Sequence, residues 1–201
     1  MQRNLHLMIL AVLLISGCAS LPNRFEAAPP GQTKAVVFDI DGTLTPTPFR
    51  YWQVREDAVA AVRHFADQGF RIFYVTARVT WLQSQIPGWL EDHGFPQGDL
   101  YVTQSSEDRN DHAQFKVRIL QRLMADGWRI EWAFGDSTSD FVAYDAVAIA
   151  KAQVFALQRE GDDECQPGVW AACLEGWGEF LHSLPGAGRT PPLSPSATPH
   201  P

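Results

Sequence analysis

The chain has 201 residues, 45% of them hydrophobic and 19% charged, which is ordinary globular composition. Setting aside an export-like start (1–17) and a proline-rich end (183–201) leaves roughly 150 residues, enough for one domain and too few for a second. The net charge of −7 becomes −8 if Arg3 leaves with the first segment, so the electrostatic footprint of a nucleic-acid binder is missing.

Arg3 precedes an apolar run over residues 5–15, which as a helix would span about 16 Å against a hydrocarbon core of about 30 Å. That excludes a transmembrane helix, and charged start, short apolar core and small-residue exit together read as a secretory signal. The exit, Leu14-Ile15-Ser16-Gly17-Cys18, resembles the bacterial lipobox. The resemblance implies cleavage before Cys18 and acylation of Cys18. Ala19 stands where Asp would retain a Gram-negative lipoprotein at the inner membrane. The implied location is the periplasmic side of the cell envelope, the outer membrane favoured. An ordinary signal ending in a chance cysteine is the alternative. Residues 21–33 carry two adjacent prolines and no periodicity, so 18–33 is expected to be a lipidated tether.

From residue 34 short apolar runs alternate with helical patterns. Residues 35–40 form a continuous apolar run rich in β-branched side chains, as in a strand buried on both faces. A helix over 56–68 ends at Gly69, and 71–76 is a second strand. Residues 79–93 read as a helix that Pro87 should kink or split. Strands over 100–103, 130–134 and 153–157 then alternate with helices over 115–125 and 140–149. This alternation predicts an α/β fold, a Rossmann-like three-layer αβα sandwich around a central parallel sheet. Its ligand site should lie at the carboxyl ends of the strands.

Cys165 and Cys173 sit eight apart near the end of the domain (34–182), with no second close pair or nearby His to suggest zinc. In an oxidising compartment a disulfide is expected, two free buried thiols being the alternative. Residues 183–201 hold six prolines and almost no charge, a composition that reads as a disordered tail.

Polar clusters fall at three of the predicted strand ends: Asp39-Ile40-Asp41-Gly42-Thr43, Thr76-Ala77-Arg78, and Gly135-Asp136-Ser137-Thr138-Ser139-Asp140. Lys116 opens the helix before the fourth strand. In this order they resemble the haloacid dehalogenase superfamily of phosphotransferases over residues 35–157. The resemblance implies that Asp39 is a nucleophile passing through an aspartyl-phosphate, that Asp41 is its acid/base, and that Thr76 and Lys116 support the transfer. It implies phosphate contacts from Gly42, Thr43, Ala77 and Arg78. It also implies Mg²⁺ held by Asp39, the Asp41 backbone carbonyl, Asp136 and Asp140. Clustered carboxylates repel one another, and a hard divalent cation relieves that repulsion. An acid at position 41 resembles the phosphomonoesterases of the superfamily.

Around these motifs, residues 74–103, 115–123 and 133–147 resemble the lipin-type phosphatidate phosphatase domain and its relative in the Nir/RdgB phosphatidylinositol-transfer proteins. The segment Trp89-Leu90-x-x-His93-Gly94-Phe95-Pro96 carries the likeness to the latter. That relative characteristically lacks the second Asp, implying phosphatidic-acid binding without hydrolysis, whereas this chain keeps Asp41. Only 34 residues separate Asp41 from Thr76, and 39 separate Thr76 from Lys116, so no cap domain fits and the site should be open.

The flap expected over 45–55 carries Phe49, Tyr51 and Trp52 beside Arg50 and Arg55. This mixture suits an anionic membrane interface, or else packs on the domain's own core. Trp81 and Trp89, at helical spacing, are expected in the core. The implied function is a membrane-tethered, Mg²⁺-dependent phosphomonoesterase for a phosphatidate-like lipid. A non-catalytic phosphatidic-acid-binding module and a capless exported phosphatase for nucleotides or phosphoproteins are the alternatives.

Overall fold

A computed structural model describes residues 21–184. Its frame is one sheet of six parallel strands in the order β3-β2-β1-β4-β5-β6. The strands are β1 (Lys34–Phe38), β2 (Arg71–Thr76), β3 (Asp99–Val102), β4 (Arg129–Gly135), β5 (Val154–Leu157) and β6 (Ala172–Leu174). The chain order reverses beside β1, which leaves a crevice between the carboxyl ends of β1 and its neighbours. The α/β three-layer arrangement expected from the alternation is the one observed, and no cap domain occurs among the described residues.

Strand residues alternate between two cores. Ala35, Val37, Phe73, Val75 and Ala133 face α5 (His112–Ala125) and α6 (Thr138–Ala146), where Phe115, Leu120, Phe141 and Tyr144 are buried. Val36, Phe38, Tyr74 and Phe134 face α1 (Ala58–Asp67), α3 (Ile86–Asp92) and α7 (Trp177–Ser183). On that second side Phe134 stacks on Phe38 with centroids 5.2 Å apart, and Trp177 and Phe180 each lie 5.0 Å from it. Offset and edge-on aromatic contacts of this kind fix α7 to the sheet beyond simple area burial.

The predicted helix over 79–93 is split into α2 (Thr80–Gln83) and α3, with Pro87 in the first turn of α3, where its missing N–H costs nothing. The short helix α4 (Ser106–Asn110), β6 and α7 were not anticipated. Cys165 and Cys173 form the expected disulfide, which closes the crossover between β5 and β6.

Residues 21–33 correct the tether expectation, because they lie docked on the domain. The Asn23 side-chain amide donates to the Val102 carbonyl (3.0 Å) and accepts from the Val102 N–H (2.9 Å), pairing with the open edge of β3 as a strand neighbour would. Phe25 packs on Tyr101, the Trp128 indole donates to the Glu26 carbonyl, and the Ala28 N–H reaches the Asp126 carbonyl. Single anchors spaced along an extended strip leave no period to read. The expected signal segment with Cys18, and all of the expected tail beyond Leu184, lie outside the described residues.

Candidate active site

The acidic cluster is built by two tight turns at the ends of β1 and β4. After β1 the Ile40 carbonyl accepts the N–H groups of Thr43, Leu44 and Thr45, folding the chain back on itself. Gly42 supplies a φ of 85°, and a Cβ there would lie 2.1 Å from Asp136 Oδ2, so the turn admits no side chain at this point. After β4, Ser137 and Asp140 form a capping box at the start of α6, which aims Asp140 back under the cluster. Oxygens of Asp39, Asp136 and Asp140 all lie within 4.8 Å of one another.

Lys116, one turn into α5, is buried between two of these carboxylates. Its Nζ donates to Asp39 Oδ1 at 2.7 Å and to Asp140 Oδ1. Burial alone would lower the Lys116 pKa, but Asp140 and Asp39 outweigh it and hold the ammonium charged. Burial pushes the Asp39 carboxyl well above its ordinary range, Lys116 opposes that, and Asp140, Asp136 and Asp41 add to the rise. Asp136 is pushed up to about 7, first by burial and then by Asp140, with Arg159 pulling the other way.

A cluster so charged, with three buried acids against Lys116 and Arg159, fits a divalent cation. The Asp41 carbonyl accepts no hydrogen bond among the described residues, which leaves it available as the fourth oxygen expected there. Asp140 has both oxygens engaged, one by Lys116 and one by Ser137, so it serves at least as the counter-charge that fixes the lysine.

The titration has a stability consequence. Folded Asp136 holds its proton to a higher pH than its ordinary value of 3.8 allows, so the folded state binds more protons than the unfolded one between those limits. Stability is therefore fully present at acid pH and is lost as pH rises through about 7. In EDTA the Tm should fall from pH 5 to pH 8, and Mg²⁺ should remove most of that fall; a Tm that rises across the window in EDTA contradicts the raised carboxyl.

Thr76 and Asp41 both line the cleft, but the Thr76 hydroxyl, expected to support the transferring group, is engaged by Asp41, and so is Arg78. The Thr76 hydroxyl donates to Asp41 Oδ2 at 2.8 Å, and Arg78 forks onto the same carboxylate from Nε (2.9 Å) and Nη2 (2.6 Å). Arg78, expected on phosphate, is thus committed to Asp41. Two further phosphate contacts are also corrected. The Gly42 N–H donates to Thr45 Oγ1 and the Thr43 N–H to Ile40, because a turn this tight satisfies its own donors. Ala77 lines the cleft.

Several residues of the site went unread in the sequence. Arg159, just past the carboxyl end of β5, reaches Asp136 Oδ2, and His112 and Ser139 line the same cleft of about 250 Å³. The rule that sites lie at strand carboxyl ends, applied to β5, would have found Arg159. Arg55, expected at a lipid surface, is buried. It donates to the carbonyls of Gly42 (3.1 Å), Gln158 (2.6 Å) and Glu175 (2.6 Å), tying the nucleophile turn to two neighbouring loops. The Trp177 indole does the same for the Thr43 carbonyl. A larger cleft of about 680 Å³, which includes Arg71, Tyr74, Phe95 and Asp99, lies toward the amino ends of β2 and β3, where Arg71 is already paired with Asp99.

The segment over the cleft is divided between packing and exposure. Tyr51 and Trp52 lie against the Arg78 guanidinium. Arg50 pairs with Glu160 across the surface. Phe49 is 82% exposed, and Val79, which lines the same cleft, is exposed as well. Trp89 is buried as expected, but Trp81, two residues on from Val79, is 65% exposed, which corrects its core assignment. Splitting the helix at Gln83 takes Trp81 off the stripe that α3 buries.

Among solved structures, the D,D-heptose 1,7-bisphosphate phosphatase of B. bronchiseptica, complexed with magnesium and phosphate, superposes with a TM-score of 0.53. The match has 14% identity and covers 75% of this chain and 99% of that one. A chain of the Pnkp1/Rnl/Hen1 RNA repair complex gives 0.55 at 15% identity, covering 69% and 47%. At such identities the likeness is one of fold.

In sequence, membrane-associated phosphatidylinositol transfer protein 3 of Homo sapiens is 29% identical over 187 residues, covering 90% of this chain and 18% of its own length. Protein retinal degeneration B of Drosophila melanogaster is 30% identical over 154 residues, covering 74% and 12%. The chain thus spans less than a fifth of the curated relatives it matches. The profile of the LNS2 domain of the PITM 1-3 proteins matches residues 36–158, from the third residue of β1 to just past β5, and so takes in every acid of the cluster. On that match the chain belongs to the LNS2 domain family.

Proposed function

We propose that the domain is a Mg²⁺-dependent phosphomonoesterase that works on a phosphatidate-like lipid at a membrane surface. One observation carries the reading. Asp39, salt-bridged to Lys116, and Asp41, two residues on, share an uncapped cleft whose mouth presents Phe49 and Val79 to the outside.

In this reading Asp39 attacks phosphorus in line and forms an aspartyl-phosphate as the ester P–O bond breaks. Asp41 gives the leaving oxygen its proton and later takes one from the water that hydrolyses the intermediate. Lys116 keeps Asp39 in place and offsets charge on the transferring group. Held by Asp39, Asp136, the Asp41 carbonyl and Asp140, the ion would neutralise phosphate charge. Arg159, which lines the same cleft and reaches Asp136, would be free to meet a phosphate oxygen if Asp136 served the ion.

The lipid part rests on the exposed rim and on where the chain enters. Gln104, just past the carboxyl end of β3, donates to the Leu21 carbonyl, so the first described residue sits at the same edge of the sheet as the acids. If Cys18 is acylated, only about 10 Å of extended chain separates it from that point, and the cleft would be held at the bilayer. Palmitate labelling should then depend on Cys18 and vanish in Cys18→Ala; labelling that persists removes the anchor. The names of the curated relatives, which refer to membrane association and phosphatidylinositol transfer, fit a lipid reading.

The deciding assay is phosphate release with Mg²⁺ from phosphatidic-acid vesicles against soluble phosphomonoesters. Replacing Phe49 and Trp81 together by Ala should lower the vesicle rate roughly tenfold and leave the soluble rate within about twofold, because neither side chain touches the acids. Equal losses would return the aromatics to the fold and favour a soluble substrate. The fork of Arg78 on Asp41 favours a second reading, a phosphatidic-acid-binding module; vesicle binding without phosphate release would select it.

A further inference from the structure

Asp136 is met by two loops other than its own, and both bear on one of its oxygens. A side-chain carbon added at Gly42 would lie 2.1 Å from Asp136 Oδ2, so the backbone of the nucleophile turn runs against that oxygen. Arg159 donates to the same oxygen from the loop after β5. The place of the carboxylate therefore depends on how these two loops stand relative to one another.

Arg55 joins them. Its side chain is buried, with Nη1 donating to the Gly42 carbonyl (3.1 Å) and Nη2 to the carbonyl of Gln158 (2.6 Å), the residue before Arg159. Nη2 also donates to the Glu175 carbonyl (2.6 Å), just past the end of β6. The Arg55 N–H donates to the Leu44 carbonyl at 2.9 Å, so its main chain is fixed to the turn that its side chain holds. One carbonyl it bonds thus belongs to the residue lying against Asp136, and another to the neighbour of the arginine that grips Asp136.

All three side-chain bonds end on carbonyls and none on a carboxylate. A buried charge so partnered is a costly way to gain stability, and its distinctive product is geometry. Two nitrogens at a fixed spacing in one plane set one loop against another, which a single ammonium cannot do. The Glu160 N–H also reaches the Pro46 carbonyl (3.0 Å), a second tie between the same segments, so losing Arg55 should loosen the cluster without unfolding it.

We propose that Arg55 is a positioning residue for Asp136: by bonding the Gly42 and Gln158 carbonyls at once it fixes where that carboxylate stands among the acids, and so sets the affinity for Mg²⁺ and not the chemical step. This rests on the metal-dependent phosphatase reading and adds to it a residue outside the ligand set. Supports of this kind are commonly worth about ten- to a hundredfold in metal affinity.

The test is calorimetric titration of the metal-free protein with Mg²⁺, without substrate, in the wild type, Arg55→Lys and Trp128→Phe. A lysine ammonium placed where Nη2 stands keeps Gln158 and Glu175 and gives up Gly42, and the Mg²⁺ Kd should rise about tenfold. Trp128→Phe removes the indole bond to the Glu26 carbonyl at the amino end of β4, away from the acids. It should lower the Tm and leave the Kd within about twofold. An unchanged Kd in folded Arg55→Lys overturns the proposal. So does an equal rise in Trp128→Phe, since affinity would then only follow stability. Arg55→Met removes the buried charge and all three bonds; its Kd should rise at least as far, and it decides the matter if Arg55→Lys does not fold. In phosphate release from 4-nitrophenyl phosphate, Arg55→Lys should need about tenfold more Mg²⁺ for half its maximal rate and reach a kcat within about threefold of the wild type. A kcat that saturating Mg²⁺ does not restore places Arg55 in the chemical step and also overturns the proposal. A wild type that binds Mg²⁺ and releases no phosphate refutes the phosphatase reading alone, and the titration still decides on Arg55. A wild type that binds no Mg²⁺ overturns both.

Discussion

Asp39→Asn is expected to remove phosphate release by at least ~10⁴-fold and to leave the fold intact or firmer. The amide keeps the shape of the carboxylate and cannot form the aspartyl-phosphate. The stability half of the expectation follows from electrostatics. Burial, together with Asp140, Asp136 and Asp41, pushes the Asp39 carboxyl well above its ordinary range, so its charge is a cost to the metal-free fold that Lys116 offsets only in part. Asn removes that charge while Lys116 keeps its contact with Asp140. Near-UV circular dichroism and Tm in EDTA should match or exceed the wild type. Measurable turnover in purified, folded Asp39→Asn would remove Asp39 from the nucleophile's place.

How much of this was legible depends on the range of the interactions involved. The strand β2 was read to the residue, and β1, β4 and β5 to within two, because buried parallel strands are continuous apolar runs that need no partner to be recognised. Asp39, Asp41, Thr76 and Asp136 were legible because each ends or follows such a run, and Lys116 because it opens the helical pattern before β4. The short helix α4 was legible too and went unread: Ser105 and Asp108 form a reciprocal capping box, a Ser-x-x-Asp pattern visible in sequence. By contrast β6 is three residues long and its partner is set only by the sheet, where Ala156 stands beside Cys173. No local signal announces it.

The arginines show the same limit more sharply. Arg50, Arg55 and Arg78 look alike in sequence. One lies on the surface against Glu160, one is buried among three carbonyls, and one is forked onto Asp41 beneath aromatic rings. What separates them is which loops lie within reach across the fold, at sequence separations of 110 for Arg50 and Glu160 and 120 for Arg55 and Glu175. Composition placed two of them at a membrane surface; packing gives Arg55 an interior task.

Lys116→Met should have the largest effect on stability, about 3–5 kcal/mol at neutral pH, because it leaves two buried carboxylates facing one another without their counter-charge. Methionine fills a similar volume, so little of the loss is cavity; nearly all is unpaired charge. The sign with pH follows. Removing Lys116 takes away the influence that lowers the Asp39 pKa, and the folded state then favours the protonated acid still more. The destabilisation should be greatest at pH 8 and shrink toward pH 5, where the carboxyls can neutralise. Replacing Asp140 by Asn in the same chain should recover much of the stability, since one of the two unpaired buried charges is gone and Asn can still accept from the Ser137 N–H at the start of α6. It should recover none of the activity, because the transferring group still lacks its cation. Urea unfolding of the single and double variants across that pH range tests the whole arrangement. A single variant as stable as the wild type at pH 8 would mean that Lys116 does not sit between Asp39 and Asp140.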